Sequence, residues 1–318
     1  MHKKLSVFVL VAAMAVIAVP AMFAGGAKDT GPKQITVGFA QIKEASSWRT
    51  AETNSVQAEA QKLGVNLKLS VGVQADQIAA IRDFIAQKVD GILLAPQTTS
   101  GWDEVLKEAK AAKIPVVLLD RGLDSSPDLY VTQVSSDFVF EGKEAAKWVG
   151  KALNGKGTVV ELFGDPAADP AKLRNKGFME GLKDFPGIKV IESKTGEWSR
   201  DKGKQVVEAW LAAGIRANVV FAHNDDMALG AIDALKAAGI KPGKDVLLIS
   251  IDGIKSAFDA IDRGELNCTV ECNPLLGPLG FDSLFRAMKG ETLPKWIQQV
   301  DNVYDTTNYK TVYASRQY

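Results

Sequence analysis

The sequence predicts an α/β protein made of two similar lobes, each a doubly wound parallel sheet. Short apolar segments alternate with segments of helical periodicity along most of the chain, a pattern typical of parallel sheets with helices on both faces. The alternation stops after a helical segment at 138–153 and then restarts. About 290 residues would follow an N-terminal signal, more than one hydrophobic core usually supports. Two lobes account for both the repeat and the length.

The chain begins with the pattern of a secretory signal. Two lysines precede an apolar stretch at 5–19, which is shorter than the roughly 20 residues that span a bilayer. Because small residues such as Ala24 suit cleavage, we assign 1–24 to a signal peptide and 25–33 to a leader. This predicts export to the periplasm. An uncleaved anchor is the alternative, and no cysteine stands nearby to carry a lipid.

Five strands are predicted in the first lobe, at 35–40, 67–71, 91–95, 116–119 and 130–134. Helical segments fall between them. The clearest, 78–89, has its isoleucines on one face, and another, 102–112, ends shortly before Pro115.

The second lobe is predicted to repeat this plan. Its strands are expected at 158–162, 189–193, 218–222 and 246–251, and its helices at 173–183, 202–213, 227–238 and 256–263.

Crossings between the lobes are expected near 135–137 and near 271–274, with a helix at 275–288 returning to the first lobe. The predicted division is 34–136 plus about 272–300 for the N-terminal lobe, and 137–271 plus about 301–318 for the C-terminal lobe.

The charge balance excludes one large class of partner. Lys and Arg number 38 and Asp and Glu number 38, so the chain is neutral. A nucleic-acid binder needs a concentrated basic face, and we predict no nucleic-acid partner.

Cys268 and Cys272 are the only cysteines. On one strand they would lie about 13 Å apart, whereas a disulfide requires Cα atoms within about 7 Å. We expect two buried free thiols. A redox pair or metal site is the alternative, but no other soft ligand is close in sequence.

Familiar catalytic motifs are absent or misplaced. The glycine and lysine spacing at 150–157 suggests a phosphate loop, but it lacks Ser or Thr after Lys156 and precedes a strand. His223 is the only histidine after the signal, and the chain has no serine elbow. We interpret His223 as structural and predict no catalytic residue, no metal and no cofactor.

Polar side chains stand where predicted strands end, the edge at which open α/β sheets bind ligands. They are Asp120 and Arg121, Asn224 and Asp225, Asp252, and Glu271. Carboxylate and amide oxygens accept hydrogen bonds from sugar hydroxyls, and arginine donates to them. For any one residue a helix cap or turn is the alternative, but together they predict a site for a small polyhydroxylated ligand.

Trp48 and Trp198 are candidate stacking surfaces, because both stand in polar segments predicted as loops. Aromatic rings pack against the C–H face of a sugar while its hydroxyls make polar contacts. The other tryptophans, Trp148, Trp210 and Trp296, are predicted in the core, with Trp102 packed at a helix start.

The chain resembles the periplasmic sugar-binding proteins of ABC importers, in the ribose- and galactose-binding class and nearest its galactofuranose branch. The resemblance covers nearly all of the mature chain. It rests on Trp48-Arg49, Gly101-Trp102, Leu119-Asp120-Arg121, Lys176-Gly177-Phe178, His223-Asn224-Asp225-Asp226-Met227, Lys241-Pro242-Gly243 and Ile251-Asp252-Gly253.

This resemblance implies a type I periplasmic binding protein fold with sugar held between the lobes. It suggests binding roles for Trp48, Arg49, Asp120, Arg121, Asp137, Arg174, Trp198, Asn224, Asp252 and Glu271, with Asp137 and Glu271 at the hinge. Trp198 stands where the class carries an aromatic that covers the sugar.

We therefore predict a monomeric periplasmic protein that captures a monosaccharide by lobe closure and delivers it to an ABC permease with a separate ATPase subunit. Alternatives are a sensor for a chemoreceptor or kinase, and a sugar-processing enzyme using Asp120, Asp252 and Glu271. The effector domain of a repressor would share the fold, but the chain carries an export signal and no DNA-binding head.

Overall fold

The computed structural model describes residues 34–43 and 46–318. The predicted signal peptide (1–24) and leader (25–33) lie outside these described residues. Within 34–43 and 46–318, no helix combines the length and the apolar character needed to cross a membrane.

The described residues contain the strands β1 (Thr36–Ile42), β2 (Asn66–Gly72), β3 (Gly91–Leu94), β4 (Val116–Leu119), β5 (Gln133–Ser135), β6 (Lys156–Phe163), β7 (Gly187–Thr195), β8 (Val219–Ala222), β9 (Leu247–Asp252), β10 (Cys268–Glu271), β11 (Trp296–Gln298) and β12 (Val303–Asp305). The helices are α1 (Ser47–Lys62), α2 (Gln74–Ala86), α3 (Asp103–Ala111), α4 (Phe138–Ala152), α5 (Asp169–Gly181), α6 (Arg200–Ala212), α7 (Asp225–Ala237), α8 (Lys255–Asp262), α9 (Gly277–Met288) and α10 (Lys310–Tyr313).

These strands form two six-stranded sheets with orders β11-β5-β4-β3-β1-β2 and β12-β10-β9-β8-β6-β7. Neighbouring strands are parallel except β12, which runs antiparallel to β10. The central strands β3, β4 and β8 are buried along their whole length, as strands covered by helices on both faces must be. The predicted α/β fold with two parallel sheets is confirmed.

The chain passes between the two sheets three times within the described residues. Helix α4 packs on α5 and on β10 of the second sheet, whereas α9 packs on α1 and on β3 and β4 of the first. The crossings therefore lie between β5 and α4, between β10 and α9, and between β11 and β12.

Two local expectations were wrong. Trp48 does not lie in a loop but in the first turn of α1, where the Ser46 hydroxyl accepts a hydrogen bond from the Arg49 N–H at 3.1 Å. This helix buries Arg49 and Glu52 together with Trp48, Val56 and Ala60, so polar residues interrupt its hydrophobic periodicity. Trp296 is not a core residue: it stands on edge strand β11 and is 43% exposed.

Candidate functional site

A polar cavity lies between the two sheets, where β4, β8 and β9 end. Its free volume is about 20 Å³, which is room for about one water molecule. Both lobes contribute to its lining, which consists of Ser46, Trp48, Arg49, Asp120, Arg121, Pro170, Arg174, Trp198, Asn224, Asp252 and Cys272. The five charged residues in this lining are each 5% exposed or less, so the lobes enclose the cavity.

On the first-lobe side, an ion-pair network joins α1 to the end of β4. The Arg49 guanidinium donates to Glu52 at 2.5 Å and to Asp120 at 2.6 Å. Nε of Arg121 lies 3.5 Å from the same Asp120 carboxylate. Burial raises the pKa of Glu52, and the charge of Arg49 opposes that rise. Because charge-assisted bonds of this kind are directional, Asp120 is held in one orientation.

Trp48 is held in place by a hydrogen bond to the segment that crosses between β10 and α9. Its indole N–H donates to the Cys272 carbonyl at 2.6 Å, and the Arg49 guanidinium lies 4.7 Å from its ring centroid. The residue lines the cavity, and its one side-chain hydrogen-bond donor is already used.

On the second-lobe side, Arg174 of α5 is the central cation. It donates to Glu141 at 2.6 Å and to the His223 carbonyl at 2.6 Å. Burial lowers the pKa of Arg174, but Glu141 and the other negative groups around the guanidinium raise that pKa by more. Arg174 therefore stays charged. Burial raises the pKa of Glu141 to about 7 against the opposing charge of Arg174.

Asp252 ends β9 with its side chain 3% exposed. Within the described residues its carboxylate makes no hydrogen bond, and the nearest cation is Arg174, whose Nη2 lies 3.7 Å away. Burial raises the pKa of Asp252 well above its usual range, with Arg174 acting in the opposite direction. A buried carboxylate without donors carries a desolvation cost that a hydroxylated ligand would relieve.

Asn224 joins β8 to α7 and holds the neighbouring turn. Its side-chain oxygen caps α7 by accepting from the Met227 N–H at 3.0 Å, and its amide donates to the Trp198 carbonyl at 3.1 Å. Trp198 lies in the turn between β7 and α6, as predicted, and its ring centroid is 5.7 Å from the guanidinium carbons of both Arg121 and Arg174.

Asp137 does not line the cavity. It caps α4, where its carboxylate accepts from the N–H groups of Val139 and Phe140, both at 3.0 Å. Its carboxylate therefore serves as a helix cap, rather than the binding role that the resemblance suggested.

Glu271 also lies outside the cavity lining. Its carboxylate accepts hydrogen bonds from Arg316 at 2.5 Å, Asn302 at 2.8 Å, Tyr318 at 3.1 Å and Tyr304 at 3.3 Å. These donors come from β12, the segment before it and the C-terminal segment. The hydrogen-bonding capacity of Glu271 is therefore used within the protein.

His223 is structural, as predicted. It is fully buried, its Nδ1 accepts from the Gly164 N–H at 3.3 Å, and its Nε2 lies 2.9 Å from Glu161. Burial lowers the pKa of His223. With Nδ1 acting as acceptor, the neutral ring donates from Nε2 to the carboxylate.

The two cysteines are free and buried, as predicted, and Cys272 lines the cavity. Burial raises the pKa of both thiols well above the usual value, which makes them poor nucleophiles. Over the described part of the chain, no three His, Cys, Asp or Glu residues are arranged to hold a metal ion.

Backbone conformation is a feature of this site that sequence could not reveal. Asp120, Trp198 and Asp252 have φ of 63°, 63° and 129°, a region that non-glycine residues rarely adopt. Strain of this kind persists where surrounding contacts impose it and is common at ligand sites. Ser46, Pro170 and Cys272 also line the cavity, and no sequence motif indicated a place for them there.

The lobes also bond to each other outside the cavity lining. Asp226 of α7 accepts from the N–H of Ser47 at 2.8 Å and from its hydroxyl at 3.3 Å. Asp169 of α5 accepts from the Gly122 N–H at 2.8 Å. Burial raises the pKa of Asp169 to about 7. These contacts exist only while the lobes are together.

Comparison with known proteins gives a consistent result. Residues 37–292 match the family model described as a periplasmic binding protein domain. The chain is 47% identical over 268 residues to the galactofuranose-binding protein YtfQ of Escherichia coli K12, an alignment covering 82% of this chain and 84% of that protein.

Two solved structures with bound sugars are also similar. The binding protein of the arabinose ABC transporter from Shewanella sp. ANA-3, bound to α- and β-L-arabinofuranose, superposes with a TM-score of 0.86 at 41% identity, covering 89% of this chain and 95% of that one. A Mycobacterium smegmatis protein in complex with β-D-fucofuranose gives a TM-score of 0.86 at 43% identity, with the same coverage of 89% and 95%.

Proposed function

Because the chain belongs to the periplasmic binding protein family, we propose that it is a sugar-binding component of an ABC importer, selective for a monosaccharide in furanose form. It captures the sugar between its lobes in the periplasm, and the closed form presents the sugar to a membrane permease powered by a separate ATPase. The furanose assignment is supported by the relatives named above, whose sugars are galactofuranose, arabinofuranose and fucofuranose.

The observation that carries this proposal is Asp252. Its carboxylate is buried at the cavity wall and makes no hydrogen bond within the described residues. A ligand with hydroxyl groups supplies the missing donors, whereas an apolar ligand would leave the carboxylate unpaired.

The charge arrangement favours a neutral ligand. Arg49 is already paired with Glu52 and Asp120, and Arg174 with Glu141. Arg121 lies beside Asp120. Since each guanidinium has a carboxylate close by, a sugar acid or sugar phosphate would meet both signs of charge. An uncharged sugar meets donors and acceptors without adding a charge to the enclosed cavity.

An enzymatic role is the less favoured alternative. A glycosidase needs two carboxylates flanking the bond, one kept as an acid. Glu271 is bound by Arg316 outside the cavity, so of the proposed trio only Asp120 and Asp252 line it, and Asp120 is held by Arg49. We propose that the protein binds and releases its sugar unchanged, as a monomer. A sensory role would use the same pocket and would appear as loss of signalling in a deletion strain.

The test is isothermal titration of the mature protein with arabinose, fucose, galactose, ribose and fructose, with furanose-locked methyl glycosides alongside. One saturable furanose response is expected. Asp252→Asn should weaken it by about 5- to 150-fold, because a buried polar group left poorly paired costs about 1–3 kcal/mol. Asp233→Asn, on the exposed face of α7, is the matched control. If the folded protein binds none of these sugars, the assignment as a monosaccharide-binding protein is refuted.

A further inference from the structure

The two tryptophans of the cavity differ in one respect. The indole N–H of Trp48 donates to the Cys272 carbonyl at 2.6 Å. The indole N–H of Trp198 is buried and has no acceptor within residues 34–43 and 46–318. Trp198 is 5% exposed, so water does not replace the missing partner freely. An unpaired buried donor in a polar cavity calls for an acceptor from the ligand.

The Trp198 ring is held where it lies. Glu197 and Trp198 have φ of 48° and 63°, and the Asn224 amide bonds the Trp198 carbonyl at 3.1 Å. The far edge of the indole rests on Gly164, where an added Cβ would lie 2.1 Å from Cη2. Because both the turn and the ring are constrained, the side chain cannot rotate to satisfy its N–H elsewhere at low cost.

The surroundings of the ring also favour a donor role. Arg121 and Arg174 each place a guanidinium 5.7 Å from its centroid. Cations against the ring face draw on its π electrons and leave the N–H edge electropositive. The carboxylate of Asp252 lines the same cavity and accepts hydrogen bonds. Asp252 therefore needs a donor from the ligand, whereas Trp198 needs an acceptor.

We propose that Trp198 selects the ligand through its indole N–H, which donates to one sugar oxygen, in addition to any packing of its ring. This rests on the proposed sugar-binding function. Ligands that lack an oxygen at that position are rejected because the N–H then stays buried and unpaired. Asp252 selects hydroxyl donors while Trp198 selects an acceptor, and together they fix the orientation of the sugar.

The chain offers a matched control in Trp210. Its indole N–H is likewise buried without an acceptor in the described residues, but it lines an apolar cavity of the second lobe with Val207 and Leu235. Trp198→Phe and Trp210→Phe therefore delete the same group, one inside the sugar cavity and one outside it.

The experiment measures the affinity of wild type, Trp198→Phe and Trp210→Phe for the sugar that saturates wild type and for its monodeoxy analogues. Trp198→Phe should bind the parent sugar about 5- to 100-fold more weakly. One deoxy analogue should bind wild type more weakly than the parent sugar does, but should bind Trp198→Phe as tightly as the parent sugar does. The oxygen that this analogue lacks is the one that accepts the bond from Trp198. Trp210→Phe should bind like wild type.

A second readout reports the N–H directly. The chain has six tryptophans, so ¹⁵N-indole spectra are simple to assign by substitution. Sugar should shift the Trp198 signal and slow its hydrogen exchange.

Two failures can be told apart. If wild type binds no sugar, the proposed function fails and this inference with it. If wild type binds but folded Trp198→Phe keeps full affinity, or loses affinity equally for every deoxy analogue, only the donor role is overturned.

Discussion

Asp226 should control affinity without touching the sugar. It accepts two hydrogen bonds from Ser47 across the lobes and is not among the residues lining the cavity. Asp226→Ala removes both bonds from the closed form, whereas in the open form water can bond to the Ser47 N–H. The substitution therefore shifts the closure equilibrium toward the open form, and the apparent dissociation constant rises by the same factor.

The magnitude follows from the geometry. The bond at 2.8 Å joins a carboxylate to a backbone N–H at the start of α1, and the bond at 3.3 Å is long for a hydroxyl. Counting only the first, a charge-assisted bond of about 1.5–3 kcal/mol predicts a 10- to 150-fold weaker affinity.

The assay combines titration calorimetry with stopped-flow tryptophan fluorescence. Dissociation should accelerate, while the ratio of affinities for two sugars stays the same because no ligand contact is lost. Asp233→Ala on the same helix removes an exposed pair with Arg200 and should change affinity little. A folded Asp226→Ala protein with unchanged affinity, or with an altered sugar preference, would refute the reasoning.

Two further predictions concern Gly164, which lies against the Trp198 ring, and Asp301, in a segment that crosses between the sheets. Gly164→Ala should displace the Trp198 ring, since overpacking of this kind costs about 1–3 kcal/mol, and should weaken sugar binding; calorimetry that found equal affinities would contradict this. Burial raises the pKa of Asp301, in the crossing segment between β11 and β12, to about 8 from 3.8. The protonated carboxyl of Asp301 makes its full contribution to the stability of the fold below about pH 4, and this contribution is lost as the pH rises through 8. Melting temperatures of wild type and Asp301→Asn should thus agree near pH 4 and diverge by pH 8.5, the variant being higher; parallel curves would argue against it.

Most of the fold was predictable because its strands are short apolar runs separated by helical periodicity. The sequence did not indicate strands β11 and β12, and it placed Trp48 in a loop rather than at the start of helix α1. This helix buries Arg49 and Glu52, whose charges are satisfied by each other and by Asp120, 71 residues along the chain from Arg49. These two charged residues interrupt the buried face that Trp48, Val56 and Ala60 form, so hydrophobic periodicity indicates this helix only weakly.

The site was predictable to the extent that strand ends converge. Asp120, Asn224 and Asp252 meet at one cavity because parallel strands end at the same edge. Glu271 follows the same rule but is taken up by Arg316, a partner 45 residues later that no local pattern indicates. The strained φ values of Asp120 and Asp252 were equally hidden, since they arise from tertiary contacts.

Strands β11 and β12 lie near the C-terminus, and their position affects how the protein responds to proteolysis and unfolding. These strands are edge strands of different sheets, yet only four residues separate Trp296–Gln298 from Val303–Asp305. A single cut before Trp296 would remove an edge from both sheets at once. Neither lobe can therefore be produced as an uninterrupted fragment, and a protease that reaches this connection would damage both halves together. We expect denaturation to proceed as one cooperative event rather than lobe by lobe.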